Sequence, residues 1–167
     1  MPKYCFDMSG LSNPHEVMPE HIHVSMWASV HRFLEGGNVA ITREIFDEMV
    51  RIGGNLGPFI KSLEKTLVYE VNVGDWDYRT YLAHAARMQV AHRAFIRELN
   101  GGGPKTICLN DVSIICLAKT LALPVVSMES KVGMDSPNKR RIPDICIAEA
   151  VPHLSFNEFL TAEGFSF

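Results

Sequence analysis

The sequence predicts an α/β domain on a mainly parallel sheet, and three observations carry that prediction. Short apolar runs alternate with stretches of helical periodicity along the chain. The run Pro124-Val125-Val126-Ser127 is continuously apolar at its centre, the pattern of a strand buried on both faces. A length of 167 residues with 47% hydrophobic and 21% charged side chains suits one packed domain, spanning 1–167.

Tyr4–Phe6 is a β-compatible run leaving through Asp7-Met8-Ser9-Gly10, a polar, turn-like exit, and Asn13-Pro14 is a further break. From about Glu20 to Glu35, Ile22, Met26, Trp27, Val30 and Phe33–Leu34 recur at helical spacing until Gly36-Gly37. Val39–Ile41 reads as a second strand. Thr42 caps a helix carrying Ile45, Phe46, Met49, Val50 and Ile52, which Gly53-Gly54 ends. Asn55 to about Leu67 is a further helix, and Val68–Val73 is extended. Tyr78–Leu99 reads as one long helix closed by Gly101-Gly102-Gly103-Pro104. Asn110-Asp111 opens a helix through Leu121. After the apolar strand, Met128–Arg141 is a polar loop, Asp144–Ala150 a short helix and His153-Leu154 a last strand. Ser155 and Glu158 form a capping box for a terminal helix that Gly164 ends.

Composition narrows the function classes. A net charge of −3 and a pI near 6.1 do not suit a protein that coats nucleic acid, but they permit an enzyme touching a few phosphates through a local basic patch. No run approaches the roughly 18 apolar residues of a membrane helix, and the first residues do not read as a signal peptide. Cys5, Cys108, Cys116 and Cys146 sit in apolar segments without CxxC pairing, so free thiols and a cytoplasmic setting are expected. The seven histidines form no HExxH or Cys/His cluster, and no Walker or dinucleotide glycine pattern appears.

The acids carry the remaining information. In an open α/β sheet, chemistry gathers beyond the carboxyl ends of the strands. Asp7 directly follows the first strand and would stand there; a turn aspartate bonding its own backbone is the alternative. Glu48 falls about 40° from Ile52 and about 60° from Ile45 around its helix, closer to the core rim than Glu44 or Asp47. Asp111 opens an apolar helix, and Asp144 follows Pro143 at the start of another; each fits a first-turn acid equally well.

Together these positions resemble a known pattern. The stretches KYCFDMSGL, VAITREIFDEM, NDVSIICLAKTLALPVVSMES and RIPDICIAEAVPHLSFNEFLTAEGF look like a PIN domain. The likeness is greatest to a PIN-like branch long catalogued as a domain of unknown function, whose members resemble toxins of toxin–antitoxin pairs. It implies a three-layer α/β/α sandwich and a metal-dependent endoribonuclease. Its acids fall on Asp7, Glu48 and Asp111, with a more variable fourth on Asp144 and Glu129 and Asp135 as competitors. Ser127-Met128-Glu129 stands where the family carries T-x-[ND]. These carboxylates would hold one or two Mg²⁺ or Mn²⁺ ions, because clustered like charges need a counter-charge. Ser9 would position a water or phosphate, or form an ST-turn. Arg140 and Arg141 lie beside the fourth acid as substrate contacts, and Arg79, Arg93 and Arg97 fall within about 40° on the long helix. The expected partners are a single-stranded or loop RNA substrate, a small antitoxin protein and a second copy in a homodimer, with no membrane. A non-catalytic PIN-like binding module is the rival reading.

Overall fold

The computed structural model of the chain describes residues 1–101, 106–133, 135–137 and 139–166. Its centre is a four-stranded, all-parallel sheet with helices on both faces, a three-layer α/β/α sandwich. The strands are β1 (Tyr4–Phe6), β2 (Val39–Ala40), β3 (Val125–Val126) and β4 (His153–Leu154), in the order β2-β1-β3-β4. Cys5 pairs with Ala40 on one side and with Val125 on the other, so β1 is fully interior. A parallel bridge from Ile41 to Val68 extends the sheet beyond β2. From β1 the chain first moves outward to β2, then returns across β1 to β3. That reversal defines a topological switch point between β1 and β3.

The helices are α1 (Ser9–Val17), α2 (Val24–Glu35), α3 (Arg43–Met49), α4 (Leu56–Ser62), α5 (Glu64–Leu67), α6 (Tyr78–Ala91), α7 (Leu109–Leu121), α8 (Ile142–Ala148) and α9 (Phe156–Ala162). Side chains alternate across a strand, and β1 uses both faces. Tyr4 and Phe6 meet Phe159 of α9 edge-on at 5.2 and 5.1 Å between ring centroids. Phe33 of α2 closes the same cluster at 5.2 Å. On the other face α7, buried from Val112 to Ala118, crosses β1 and β3 and packs on α6 and α8. Such edge-to-face rings add about 0.5–1.5 kcal/mol per pair beyond their area.

Local chemistry explains several boundaries. Thr42 Oγ1 accepts from Ile45 N at 3.4 Å. The expected box at α9 forms in both directions, at 3.2 Å to Ser155 Oγ and 2.7 Å to Glu158 Oε2. Gly10 allows α1 to lie directly on the end of β3, because an added Cβ would sit 2.7 Å from Val126 O.

Val68–Val73 is extended only at its start, with Val68 bridging Ile41 before the chain turns at Asn72, φ +66°. Four expectations about the helices change as well. Residues after Asp7 form α1 instead of a turn, with the buried Pro14 inside; its fixed φ is helical and it forfeits one hydrogen bond. The helix expected from Glu20 begins at Val24, because Ile22 N and His23 N are held by Pro19 O in a preceding turn. The helix over Asn55–Leu67 is broken into α4 and α5 at Leu63. The long helix ends at Ala91, followed by a 3₁₀ turn over Arg93–Phe95 and a parallel bridge from Ile96 to Ile107. Ile96 is fully buried there, so the core takes the segment out of the helix axis. Arg79, Arg93 and Arg97 therefore share no helical face, and Arg87 is engaged by Glu149. The expected stop at 101–104 lies outside the described residues except for Gly101. Among the described residues no helix is long and apolar enough to cross a membrane.

Candidate functional site

Asp7 leaves β1 while its backbone still follows the sheet, its N–H donating to Val126 O at 3.0 Å. Its carboxylate thus stands at the switch point, only 5% exposed. The Ser9 hydroxyl donates to Asp7 Oδ2 at 2.6 Å and the Ser9 N–H to the same oxygen at 3.0 Å. Ser9 Oγ in turn accepts from Met128 N at 3.1 Å, joining the exits of β1 and β3. Burial raises the Asp7 carboxyl above its ordinary range against these Ser9 bonds, and the charge of Glu129 adds to the rise.

Asp111 comes from the first turn of α7, where its Oδ2 accepts from Cys108 N at 2.7 Å. Burial pushes its carboxyl up to about 7, with repulsion from Asp7 next, the Cys108 bonds opposing and Glu129 adding. Glu129 follows β3 by three residues and accepts from Ile142 N, at the start of α8, at 2.9 Å. Asp7, Asp111 and Glu129 therefore sense one another across the mouth of the sheet. Glu48 reaches the same neighbourhood from α3, its Oε1 accepting from Asn110 Nδ2 at 2.6 Å. Asn110 immediately precedes Asp111, and Glu48 shares a cavity wall with Met8, the residue after Asp7.

The fourth acid is where geometry and expectation separate. The Asp144 carboxylate is fully buried but accepts from Val132 N, Gly133 N and Arg141 N, all at 2.9 Å. Its pKa is lowered: burial acts upward most strongly, and the three N–H groups with Arg140 outweigh it. It is not among the leading influences on Asp7 or Asp111. Asp144 thus closes the loop onto α8, and Glu129 is the acid of this segment whose charge acts on Asp7 and Asp111. Asp135 is exposed in that loop. Arg140 turns inward as well, donating to Gly133 O at 3.1 Å and to Ser136 O, with its guanidinium 4.8 Å from the Phe95 ring centroid. Arg141 supplies the N-cap backbone of α8. Ser9 is a positioning residue for Asp7, its hydroxyl already committed.

Two contacts escaped the sequence reading. Asn110 holds Glu48, and only its place beside Asp111 hints at this. Buried Ser127 pairs with His153 Nε2 at 2.7 Å, and burial lowers the His153 pKa against the pull of Glu158. The four cysteines are free, and burial raises the Cys5 thiol far above its usual value, so it is core and not a nucleophile.

Carboxylate oxygens suit hard divalent ions, and no cation stands among the leading influences offsetting Asp7 and Asp111. The donor set fits Mg²⁺ or Mn²⁺ in kind. As the side chains stand, however, no three His, Cys, Asp or Glu groups among the described residues form a cluster able to hold an ion.

The fold and this mouth define an all-parallel α/β protein with uncompensated acids at its switch point. The chain belongs to the family described as Domain of unknown function (DUF4411), whose model matches residues 4–167. No curated protein matches the chain.

Proposed function

We propose that the chain is a Mg²⁺- or Mn²⁺-dependent endoribonuclease of the PIN-like kind. The observation that supports this reading best is the pair Asp7, buried, and Asp111, half-buried, each raised by desolvation and by a neighbouring carboxylate at the carboxyl end of the parallel sheet. Raised acids in a cleft without a compensating cation mark a candidate functional site. Asp7, Asp111 and Glu129 would hold the ion, with Glu48 joining from α3. The ion would supply Lewis acidity toward a phosphodiester and lower the pKa of an attacking water. The chain's own residues do the rest. Ser9 fixes the Asp7 carboxylate, Asn110 orients Glu48, and the burial of Asp7 keeps bulk water from it. A proton held on Asp111 relieves its repulsion with Asp7, and Asp111 would hold the ion as the carboxylate.

The toxin role, a small antitoxin partner, a homodimer and a cytoplasmic location belong to the same proposal and rest on the resemblance alone. Growth arrest on expression, relieved by a small neighbouring gene, tests the first two. A non-catalytic PIN-like module that holds RNA or protein is the second reading. The Ser127-Met128-Glu129 departure from T-x-[ND], with Ser127 taken up by His153, favours it.

The deciding experiment incubates labelled single-stranded RNA with the protein, with Mn²⁺ or with chelator, beside Asp7→Asn. Cleavage that needs the metal and is lost in the variant is expected. Equal cleavage by Asp7→Asn would remove the mechanism, and no cleavage at all would leave the binding-module reading.

A further inference from the structure

The wall that carries Glu48 opens into a cavity of about 680 Å³, bounded by Met8, Ser12, His15, Glu48, Arg51 and Gly54. That volume lies within the range of about 300–1,000 Å³ common to small-ligand pockets. Met8 adjoins Asp7 and Glu48 is held by Asn110, so cavity and acids share one boundary. We infer that this cavity seats one nucleotide of a single-stranded RNA chain, next to the phosphodiester presented to the acids, with Arg51 gripping a backbone phosphate. The inference rests on the nuclease reading and names its substrate subsite.

Arg51 supplies the first argument. It lies one helical turn beyond Glu48, is exposed, and its guanidinium makes no hydrogen bond or ion pair with the described residues. Arg43 and Arg87 are both taken up in ion pairs, with Glu64 and Glu70 and with Glu149. A guanidinium keeps its charge at every physiological pH, and its planar fork matches a phosphate.

The second argument is the shape of the floor. His15 is braced, with Nε2 3.4 Å from Glu20 Oε1 and its ring edge-on to Trp27 at 5.3 Å. Gly54 has φ +67°, and a Cβ there would sit 3.2 Å from His15 Cε1. A side chain at position 54 would therefore press on the imidazole and fill the floor. His15 lines the cavity together with Met8 and Ile52, an imidazole and two apolar side chains of the kind that a base packs against.

Charge decides which ligand class fits. Glu16 and Glu48 also line the cavity, so a small multivalent anion would meet two carboxylates against one guanidinium. A nucleotide within a chain carries one phosphodiester charge, and its base and ribose bring hydrogen-bond donors. One cation and two acceptors suit that mixture.

The test measures binding of a 2′-O-methyl oligoribonucleotide, which resists cleavage, to the full chain across a salt series. Arg51→Met keeps most of the side-chain stem and removes the charge. It is expected to weaken binding about five- to tenfold and to lower the slope of log affinity against log salt by about 0.7. Gly54→Val is expected to weaken binding without flattening that slope, provided the folded circular-dichroism spectrum is retained. On cleavable RNA the Arg51→Met loss is expected in KM, with kcat held. Unchanged affinity and slope in Arg51→Met would overturn the subsite, as would failure of the wild-type chain to bind. RNA cleaved with the same KM by Arg51→Met would sink the subsite and leave the nuclease standing. Arg51-dependent binding without Mn²⁺-dependent cleavage would do the reverse.

Discussion

Asp7 and Glu149 are almost equally buried, at 5% and 6% exposed, yet their carboxyls move in opposite directions. Glu149 follows α8 and meets the Arg87 fork at 3.1 and 2.5 Å and His92 Nε2 at 2.6 Å. Lys119 adds a contact at 3.5 Å and donates to the Glu149 carbonyl at 2.5 Å. Burial acts upward on Glu149, but these partners hold it down to about 2. Asp7 has a serine and two like charges nearby, and it rises. Burial is the leading cause of the Asp7 rise, whereas at Glu149 the cationic partners outweigh a smaller burial effect. One buried acid is neutralised from within and locks α6, α7 and α8 together. The other has only Ser9 and the adjoining backbone against its burial, and under the proposed function a cation would supply the missing charge.

Three substitutions probe that contrast, the first with the largest effect. Asp111→Asn keeps an acceptor for Cys108 N while removing the charge. Loss of cleavage by about a hundredfold or more is expected, the scale of removing one electrostatic stabiliser. Because the folded-state carboxyl is raised to about 7, its ionised form destabilises the metal-free fold above that pH. The penalty fades as pH falls through 7 toward the ordinary aspartate range. In chelator at pH 8 the variant should therefore be more stable by about 1–2 kcal/mol after discounting for screening, and the gain should vanish by pH 4. Melting curves across pH check this, and a loss of stability at pH 8 would break the contrast.

Glu149→Ala comes next. It leaves Arg87, His92 and Lys119 facing one another, and a cost of about 2–3 kcal/mol is expected, below that of a wholly buried pair because Arg87 is half-exposed. Cleavage per folded molecule should hold. The depressed Glu149 carboxyl contributes stability above its ordinary 4.5, lost as pH falls toward about 2. The wild-type advantage in denaturant titrations should shrink over that interval. Asp144→Asn is the smallest: one carboxylate oxygen is lost from the three-way clamp, for about 1 kcal/mol. Cleavage close to wild type is expected, and a large catalytic defect would return Asp144 to the acid set.

Much of the frame was legible because periodicity and capping chemistry are local. The burial of β3, the Thr42 cap and the Ser155–Glu158 box all arise from neighbours in the chain. The helical angle of Glu48 also served well, since Glu44 and Asp47 are exposed and Glu48 is half-buried. What stayed hidden is long-range. Nothing near Asp144 announces that its carboxylate would be taken by N–H groups eleven and twelve residues upstream. Nothing near Ile96 reveals that it would leave the helix to pair with Ile107. Arg140 looked like a free cation beside an acid, and its carbonyl partners appear only when the loop closes.

A single hydroxyl hydrogen couples the separation of two strand ends to the rotamer of one acid. Ser9 gives that hydrogen to Asp7 while its lone pair receives Met128 N–H, so one side chain spans the exits of β1 and β3 and bears on the acid between them.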